Sequence, residues 1–264
     1  MISVELGDVT VNHSRHGSGP PVVLLHGLAE DHQSWNGVAG HLGEFTVYAL
    51  DLRGHGRTTA GEGTGTLSQL SGDLDAFLRD VTGPAAVVGY SLGGTIGLHA
   101  ATAPETLISH LIAVATSSVV GSAAADFFAG RIAQLEAGDA SGFAAGLRDD
   151  TAAQIVTPSD VDAVTARRLE AIGDGSGYIN AAKAMIGLRS EPLNPLLEHV
   201  EVPVDVIGAS DDVFCPRRAS DIITERVTGS RYHEIVGAGH LISVDQPDAY
   251  GSLIARLLAE RQPA

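Results

Sequence analysis

The chain predicts an α/β fold, a mostly parallel β-sheet with helices on both faces and a helical insertion late in the chain. Three observations predict it. Short, predominantly apolar runs such as Val22–Leu25, Phe45–Leu50, Ala85–Val88 and Leu111–Ala115 are long enough for buried strands and too short for helices. Segments with helical spacing alternate with them, as a parallel sheet requires. From Ser117 to His199 the strand signal vanishes, and it then resumes for two more strands.

Taken in order, Ile2–Leu6 and Val9–His13 alternate as two strands joined at Gly7-Asp8, a short hairpin turn. Gly17–Pro21 breaks that pattern. Val22–Leu25 runs into His26-Gly27-Leu28, after which Asp31 is placed to cap a helix through Trp35 and Val38 to Leu42. Phe45–Leu50 is a buried strand leading to Asp51-Leu52-Arg53-Gly54-His55-Gly56-Arg57. Leu67, Leu70, Leu74, Phe77 and Leu78 then mark one face of a helix over Leu67–Val81. In the insertion, Phe128, Ile132 and Leu135 give one helix, Val161, Val164 and Leu169 a second, and Ile179–Leu188 a third. Gly138, Pro158, Gly173, Gly175 and Pro192 punctuate them. Strands at Val202–Ile207 and Tyr232–Val236, with helices at Arg217–Arg226 and Ala249–Leu258, complete the chain. The expected division is a core of residues 1–116 and 200–264 with a helical cap, or lid, over 117–199.

The stretch Ala85–Gly94 reads strand, sharp turn, helix. Its centre, Gly89-Tyr90-Ser91-Leu92-Gly93, is a G-x-S-x-G sequence in the context that exposes a strained serine above a sheet. Gly89, Gly93 and Gly94 supply the missing side chains that let the backbones pass each other. A serine hydroxyl is a weak nucleophile near neutral pH, so it needs a base, a group to orient the base, and donors for the oxyanion. In this type of sheet they follow in the order serine, acid, histidine.

Composition narrows the partners. Hydrophobic residues make up 44% and charged residues 18%, which excludes a disordered chain. The net charge of −16 opposes nucleic acid and anionic membrane, and an anionic substrate would need a local arginine. Cys215 is the only cysteine, so no internal disulfide exists; it reads as a small residue at a helix start. The first residues show no secretory or membrane-spanning pattern, which makes a soluble cytoplasmic protein the expectation. Oligomeric state is not legible.

HGLAEDHQSW, DLRGHG, GYSLGG, GASDDVFCP and GAGHLISVDQP, in that order, resemble the α/β-hydrolase family, closest to its small esterase, lactonase and cofactor-free haloperoxidase branch. The resemblance spans nearly the whole chain outside the insertion. It implies an eight-stranded sheet whose second strand is antiparallel, with a cap after the sixth. It also implies Ser91 as nucleophile, His240 as general base, and the main-chain amides of Leu28 and Leu92 as oxyanion donors. The acid falls on Asp212 or Asp211. Family members commonly read G-x-x-D-x-x-x-P here, and GASDDVFCP is one residue longer. Counting from Gly208 selects Asp211 and counting back from Pro216 selects Asp212. Pro216 opens the next helix and anchors the loop more firmly than a strand-end glycine, which favours Asp212.

Other histidines have quieter readings. His26 belongs to the oxyanion loop, His55 to a glycine turn, and His233 to a strand. No metal-ligand spacing and no phosphate-loop lysine occurs, so neither metal nor cofactor is expected. Phe127, Phe128, Phe143 and Tyr178 in the insertion either line a substrate pocket or pack its helices. Trp35, Tyr90, Phe214 and Leu241, within the motifs, are further pocket candidates. Arg131, Arg148 and Arg189 are candidates to bind a carboxylate or stay in solvent. The reaction implied is cleavage of a small, largely apolar ester or lactone through an acyl-enzyme. The same triad also serves C–C hydrolysis, lyase or perhydrolase chemistry, and a non-catalytic ligand receptor can share the fold.

Overall fold

The computed structural model describes residues 1–261. Eight strands form one sheet in the order β1-β2-β4-β3-β5-β6-β7-β8. They are β1 (Ile2–Leu6), β2 (Val9–His16), β3 (Pro21–Leu25), β4 (Thr46–Leu50), β5 (Ala85–Tyr90), β6 (Ile108–Val114), β7 (Val204–Ala209) and β8 (Arg231–Ile235). β2 runs antiparallel to both neighbours, and every pairing from β4 to β8 is parallel. The central strands β3, β4 and β5 are buried along almost their whole length, which is why they read as unbroken apolar runs rather than alternating ones.

Helices cover both faces. α2 (Leu67–Phe77), α3 (Leu92–Ala101) and α8 (Arg217–Thr224) contribute Leu70, Leu74, Phe77, Ile96, Leu98 and Ile223 to the core on one face. On the other face, α1 (Asn36–Ala39) and α10 (Pro247–Ala259) bury Val38, Tyr250, Ile254 and Leu257 against Val22, Leu24, Val47 and Val88. A short helix, α9 (Ile242–Asp245), precedes α10. No helix among the described residues is long and apolar enough to cross a membrane.

The insertion between β6 and β7 holds four helices where periodicity indicated three: α4 (Ser122–Glu136), α5 (Ala140–Gln154), α6 (Val161–Ile172) and α7 (Ser176–Gly187). The helix without a sequence signal is α5. Its buried positions are Phe143, Leu147, Thr151 and Gln154, so half of its inward face is polar and the apolar stripe is too thin to see. Asp139 caps it through a side-chain bond to the Gly142 amide. Ile132, Phe143, Leu147, Ile172, Tyr178 and Ala182 form a separate apolar cluster inside this layer, closed below by Ala29.

Smaller departures have local causes. The helix expected through Trp35 to Leu42 is a 3-10 turn at His32–Trp35 followed by α1, because Gly37 and Gly40 weaken its continuation. The helix expected to Val81 leaves α-helical geometry after Phe77 and closes with a π-helical turn over Leu78–Thr82.

Candidate active site

Ser91 directly follows β5 and takes φ 51° and ψ −114°. A non-glycine residue in this region costs about 1–3 kcal/mol and persists only where its surroundings over-determine it. They do so here. The Ser91 N–H donates to the Val114 carbonyl at 2.8 Å. The Ser91 carbonyl accepts from the Thr116 hydroxyl at 2.7 Å and from the Thr95 amide at 3.1 Å. A Cβ on Gly89 would collide with the Gly93 carbonyl, one on Gly93 with the Leu25 carbonyl, and one on Gly94 with Thr116. The glycines therefore permit the turn and the hydrogen bonds hold it.

His240 stands five residues beyond the end of β8, in the loop after it. Its Nδ1 is 2.8 Å from Asp212 Oδ2 and its Nε2 is 3.1 Å from Ser91 Oγ. With the carboxylate accepting from Nδ1–H, Nε2 is the lone-pair nitrogen facing the serine hydroxyl. Asp212 is buried, and its other oxygen accepts from the Phe214 and Cys215 amides, both at 2.8 Å. Burial alone would push its carboxyl up; the His240 charge, the imidazole hydrogen bond and the two amides outweigh it and hold it below the ordinary value. The neighbouring Asp211 is exposed and accepts from the Ser210 hydroxyl at 2.6 Å. The structure thus brings Ser91, His240 and Asp212 into one hydrogen-bonded chain and leaves Asp211 outside it.

The remaining histidines have other partners. His26 is fully buried, receives the Leu52 amide on Nε2 at 2.9 Å and so donates from Nδ1 to the Gly27 carbonyl at 2.8 Å. Those bonds brace the loop carrying Leu28, and the next residue, Ala29, has φ 63°. His55 donates to the Arg53 carbonyl at 3.1 Å, and His233 contacts Asp205 at 2.8 Å within the sheet.

A cavity of about 690 Å³ opens on Ser91 and His240, and Leu28 and Leu92 line it with them. Leu92 is the first residue of α3, so its N–H has no acceptor within the helix. Of the aromatic candidates, Tyr90, Phe127, Phe128, Tyr178 and Phe214 line this cavity. Three of the pocket expectations need correcting. Trp35 is buried against Tyr250, with ring centroids 5.9 Å apart, in the core beneath the sheet. Phe143 packs edge-on behind Tyr178 at 5.2 Å and does not reach the cavity wall. Leu241 turns into the core on the α10 face, because the backbone reverses immediately after His240.

Tyr90 has a second part that sequence reasoning missed. Its hydroxyl donates to the His240 carbonyl at 2.9 Å, and its ring lies 5.3 Å from the imidazole. Phe214 flanks the same imidazole at 5.5 Å. Asp245 was also missed. Its buried carboxylate accepts from the Gly239 amide at 2.8 Å and the Thr157 amide at 2.8 Å, joining the histidine loop to the end of the insertion's second helix. The only sequence trace of it is its place five residues after His240 in the last motif.

The insertion's three candidate arginines are engaged with the protein's own acids or lie in solvent. Arg131 is paired through Nε and Nη2 with both oxygens of Asp150, and Arg148 with Asp162 at 2.7 Å. Arg189 is exposed and away from the cavity. Two arginines line it, the buried Arg168 of α6 and the exposed Arg218 of α8.

Comparison with known proteins agrees with this architecture. The chain is 28% identical over 257 residues to a pimeloyl-[acyl-carrier protein] methyl ester esterase of Aromatoleum aromaticum, covering 89% of this chain and 96% of that protein. Its fold matches the enol-lactonase of Burkholderia xenovorans with a TM-score of 0.86 at 22% identity, covering 98% of this chain and 100% of the other. It matches an esterase of Exiguobacterium antarcticum with a TM-score of 0.86 at 19% identity, covering 97% and 98% of the two chains. The family model for the alpha/beta hydrolase fold matches residues 20–247, most of the chain. The chain therefore belongs to the α/β-hydrolase family.

Proposed function

We propose that this protein is a serine hydrolase that cleaves a small ester or lactone through an acyl-enzyme. The observation that carries the reading is the chain from Asp212 through His240 to Ser91, ending at the wall of a cavity whose lining is mostly apolar. Ser91 Oγ attacks the acyl carbon while its proton passes to His240 Nε2, and Asp212 stabilises the resulting imidazolium. The carbonyl oxygen becomes an oxyanion, for which the Leu28 and Leu92 amides are the donors in this reading. Collapse breaks the C–O bond, and the leaving alkoxide takes the proton from His240. In a lactone that alcohol stays on the acyl chain. Water then attacks the acyl-serine by the same path in reverse and frees the carboxylic acid. The four-helix insertion acts as a cap that shapes the acyl pocket.

The named activities of the relatives, a methyl ester esterase and an enol-lactonase, support ester or lactone cleavage. Labelling with a fluorophosphonate followed by peptide mapping tests the covalent step, and turnover of activated esters and lactones with and without hydrogen peroxide tests the reaction. The expected result is a label on Ser91 and turnover that does not depend on peroxide. A label elsewhere, or turnover only with peroxide, would reject this reading in favour of another nucleophile or of perhydrolysis.

A further inference from the structure

Arg168, on α6, is only 8% exposed and lines two cavities, the one that opens on Ser91 and a smaller one of about 170 Å³ bordered by Glu30, Asp31 and Arg167. Burying a guanidinium is costly unless an anion compensates it. No carboxylate lies within salt-bridge distance among the described residues. Its Nη1 donates to two neutral groups of α5, Thr151 Oγ1 at 2.8 Å and Gln154 Oε1 at 2.9 Å. Its Nε is buried without an acceptor. Its Nη2 makes no hydrogen bond either, yet it is not among the sealed orphan atoms, so it is the open end of the guanidinium.

Nη2 is one of the two atoms that bind carboxylates elsewhere in this molecule, and with Nε sealed it is the one a ligand reaches. Arg131 presents Nε and Nη2 to Asp150, Arg53 to Asp73, and Arg231 to Asp205, each time to both carboxylate oxygens. That planar fork matches a carboxylate better than any other common group. The nearby acids do not fill it. Both oxygens of Asp150 are taken by Arg131. Glu30 is buried beyond salt-bridge range, with one oxygen accepting from the Gly27 amide. Burial pushes the Glu30 carboxyl up against the pull of Arg168, which disfavours the charged form that would be needed. The Arg168 charge also acts on Tyr90 and Tyr178, two residues that line the same cavity.

We propose that Arg168 is the anchor for a carboxylate at the far end of the substrate's acyl chain. This rests on the hydrolase reading above and adds to it the class of substrate: a carboxylate-terminated acyl ester or lactone. The acyl side is the relevant one because the alcohol leaves while the acyl chain stays on Ser91, in the cavity whose exposed lining includes Val213 and Phe214, at 74% and 37% exposure, and whose buried lining includes Arg168. With a net charge of −16 repelling anions over the surface, selection of such a substrate needs a local cation of this kind.

The test compares 4-nitrophenyl hemiadipate and hemisuberate with 4-nitrophenyl hexanoate and octanoate, which match them in carbon number. The ratio of kcat/KM, anionic over neutral, is expected to exceed one for wild type at one chain length or both. In Arg168→Gln, which keeps hydrogen-bonding capacity toward Thr151 and Gln154, that ratio should fall roughly 10- to 100-fold, mainly through KM, the factor carried by a hydrogen bond to a charged group. Arg168→Lys should restore part of it. An arginine that only ties α5 to α6 would change both substrates alike and leave the ratio where it was, which overturns the proposal. A wild-type ratio of one or less at both lengths overturns it too, and that comparison decides the matter if Arg168→Gln does not fold. Failure of the hydrolase reading looks different: neither series is turned over, and a neutral fluorophosphonate leaves Ser91 unlabelled.

Discussion

His240 Nε2 lies 3.1 Å from Ser91 Oγ across 149 positions of sequence. Two rigid ends make that meeting possible. Ser91 is fixed by a turn between β5 and α3, and the His240 loop is held by the Tyr90 hydroxyl on its carbonyl and by Asp245 on the preceding amide. The imidazole is therefore placed by its loop's backbone rather than by its own side chain alone.

Asp212→Asn is expected to cut kcat by about 10⁴-fold, because an amide in place of the carboxylate favours the wrong imidazole tautomer. Asp211→Asn should stay within about tenfold of wild type, since Asp211 faces solvent with only Ser210 as side-chain partner. Steady-state kinetics of the two variants, with circular dichroism to confirm folding, checks the pair. The reverse pattern would move the role to Asp211.

Phe128→Ala should change which acyl chains are accepted. Phe128 is on the cavity wall, where added space is worth about 1–3 kcal/mol per methylene of substrate, so the kcat/KM ratio of long to short acyl esters should rise about tenfold or more. Phe143→Ala acts from behind Tyr178 and should lower the insertion's stability instead, by about 3–5 kcal/mol for a buried ring. Ester kinetics on one variant and urea unfolding on the other separate wall from support.

Cys215 should resist alkylation near neutral pH even though its residue borders the cavity. Burial pushes its thiol well up, and the Asp212 carboxylate pushes it further in the same direction. Because the thiolate is the reactive form, the iodoacetamide rate should keep rising with pH past about 8.5, the ordinary cysteine value, without levelling there. A plateau at or below that pH would mean the thiol is not shielded as described.

Asp205→Asn should destabilise the protein by about 3 kcal/mol at pH 7. Asp205 is fully buried and takes His110, His233 and a bidentate Arg231, and its loss strands those donors. The estimate is at the low end because Arg231 keeps 39% exposure and can find water. Burial would raise the Asp205 carboxyl, but these bonds overcome it and depress it strongly. A depressed folded-state value means the contribution is complete above the unfolded value of about 3.9 and is lost as pH falls below it. The stability gap between wild type and variant, measured by urea unfolding, should therefore narrow as pH is lowered through that range.

Much of this protein is legible in the sequence because it depends on short stretches of chain. A short, predominantly apolar run suffices to mark a buried strand, as at β3 and β4. The strained turn at Ser91 announces itself through Gly89, Gly93 and Gly94, since only missing side chains let the backbones cross. Counting back from Pro216, the residue immediately before α8, selects Asp212 over Asp211, and the structure places it against His240.

What the tertiary structure decided are matters of pairing between distant residues. Arg131, Arg148 and Arg168 look alike in sequence, and only the packing of α4, α5 and α6 gives Asp150 to the first, Asp162 to the second and no acid to the third. Phe143 and Tyr178 are both buried aromatics of the insertion, yet one forms the cavity wall and the other stands behind it. Periodicity says that a side chain is buried; which neighbour it meets depends on how separate helices pack, and that is a property of distant sequence segments acting together.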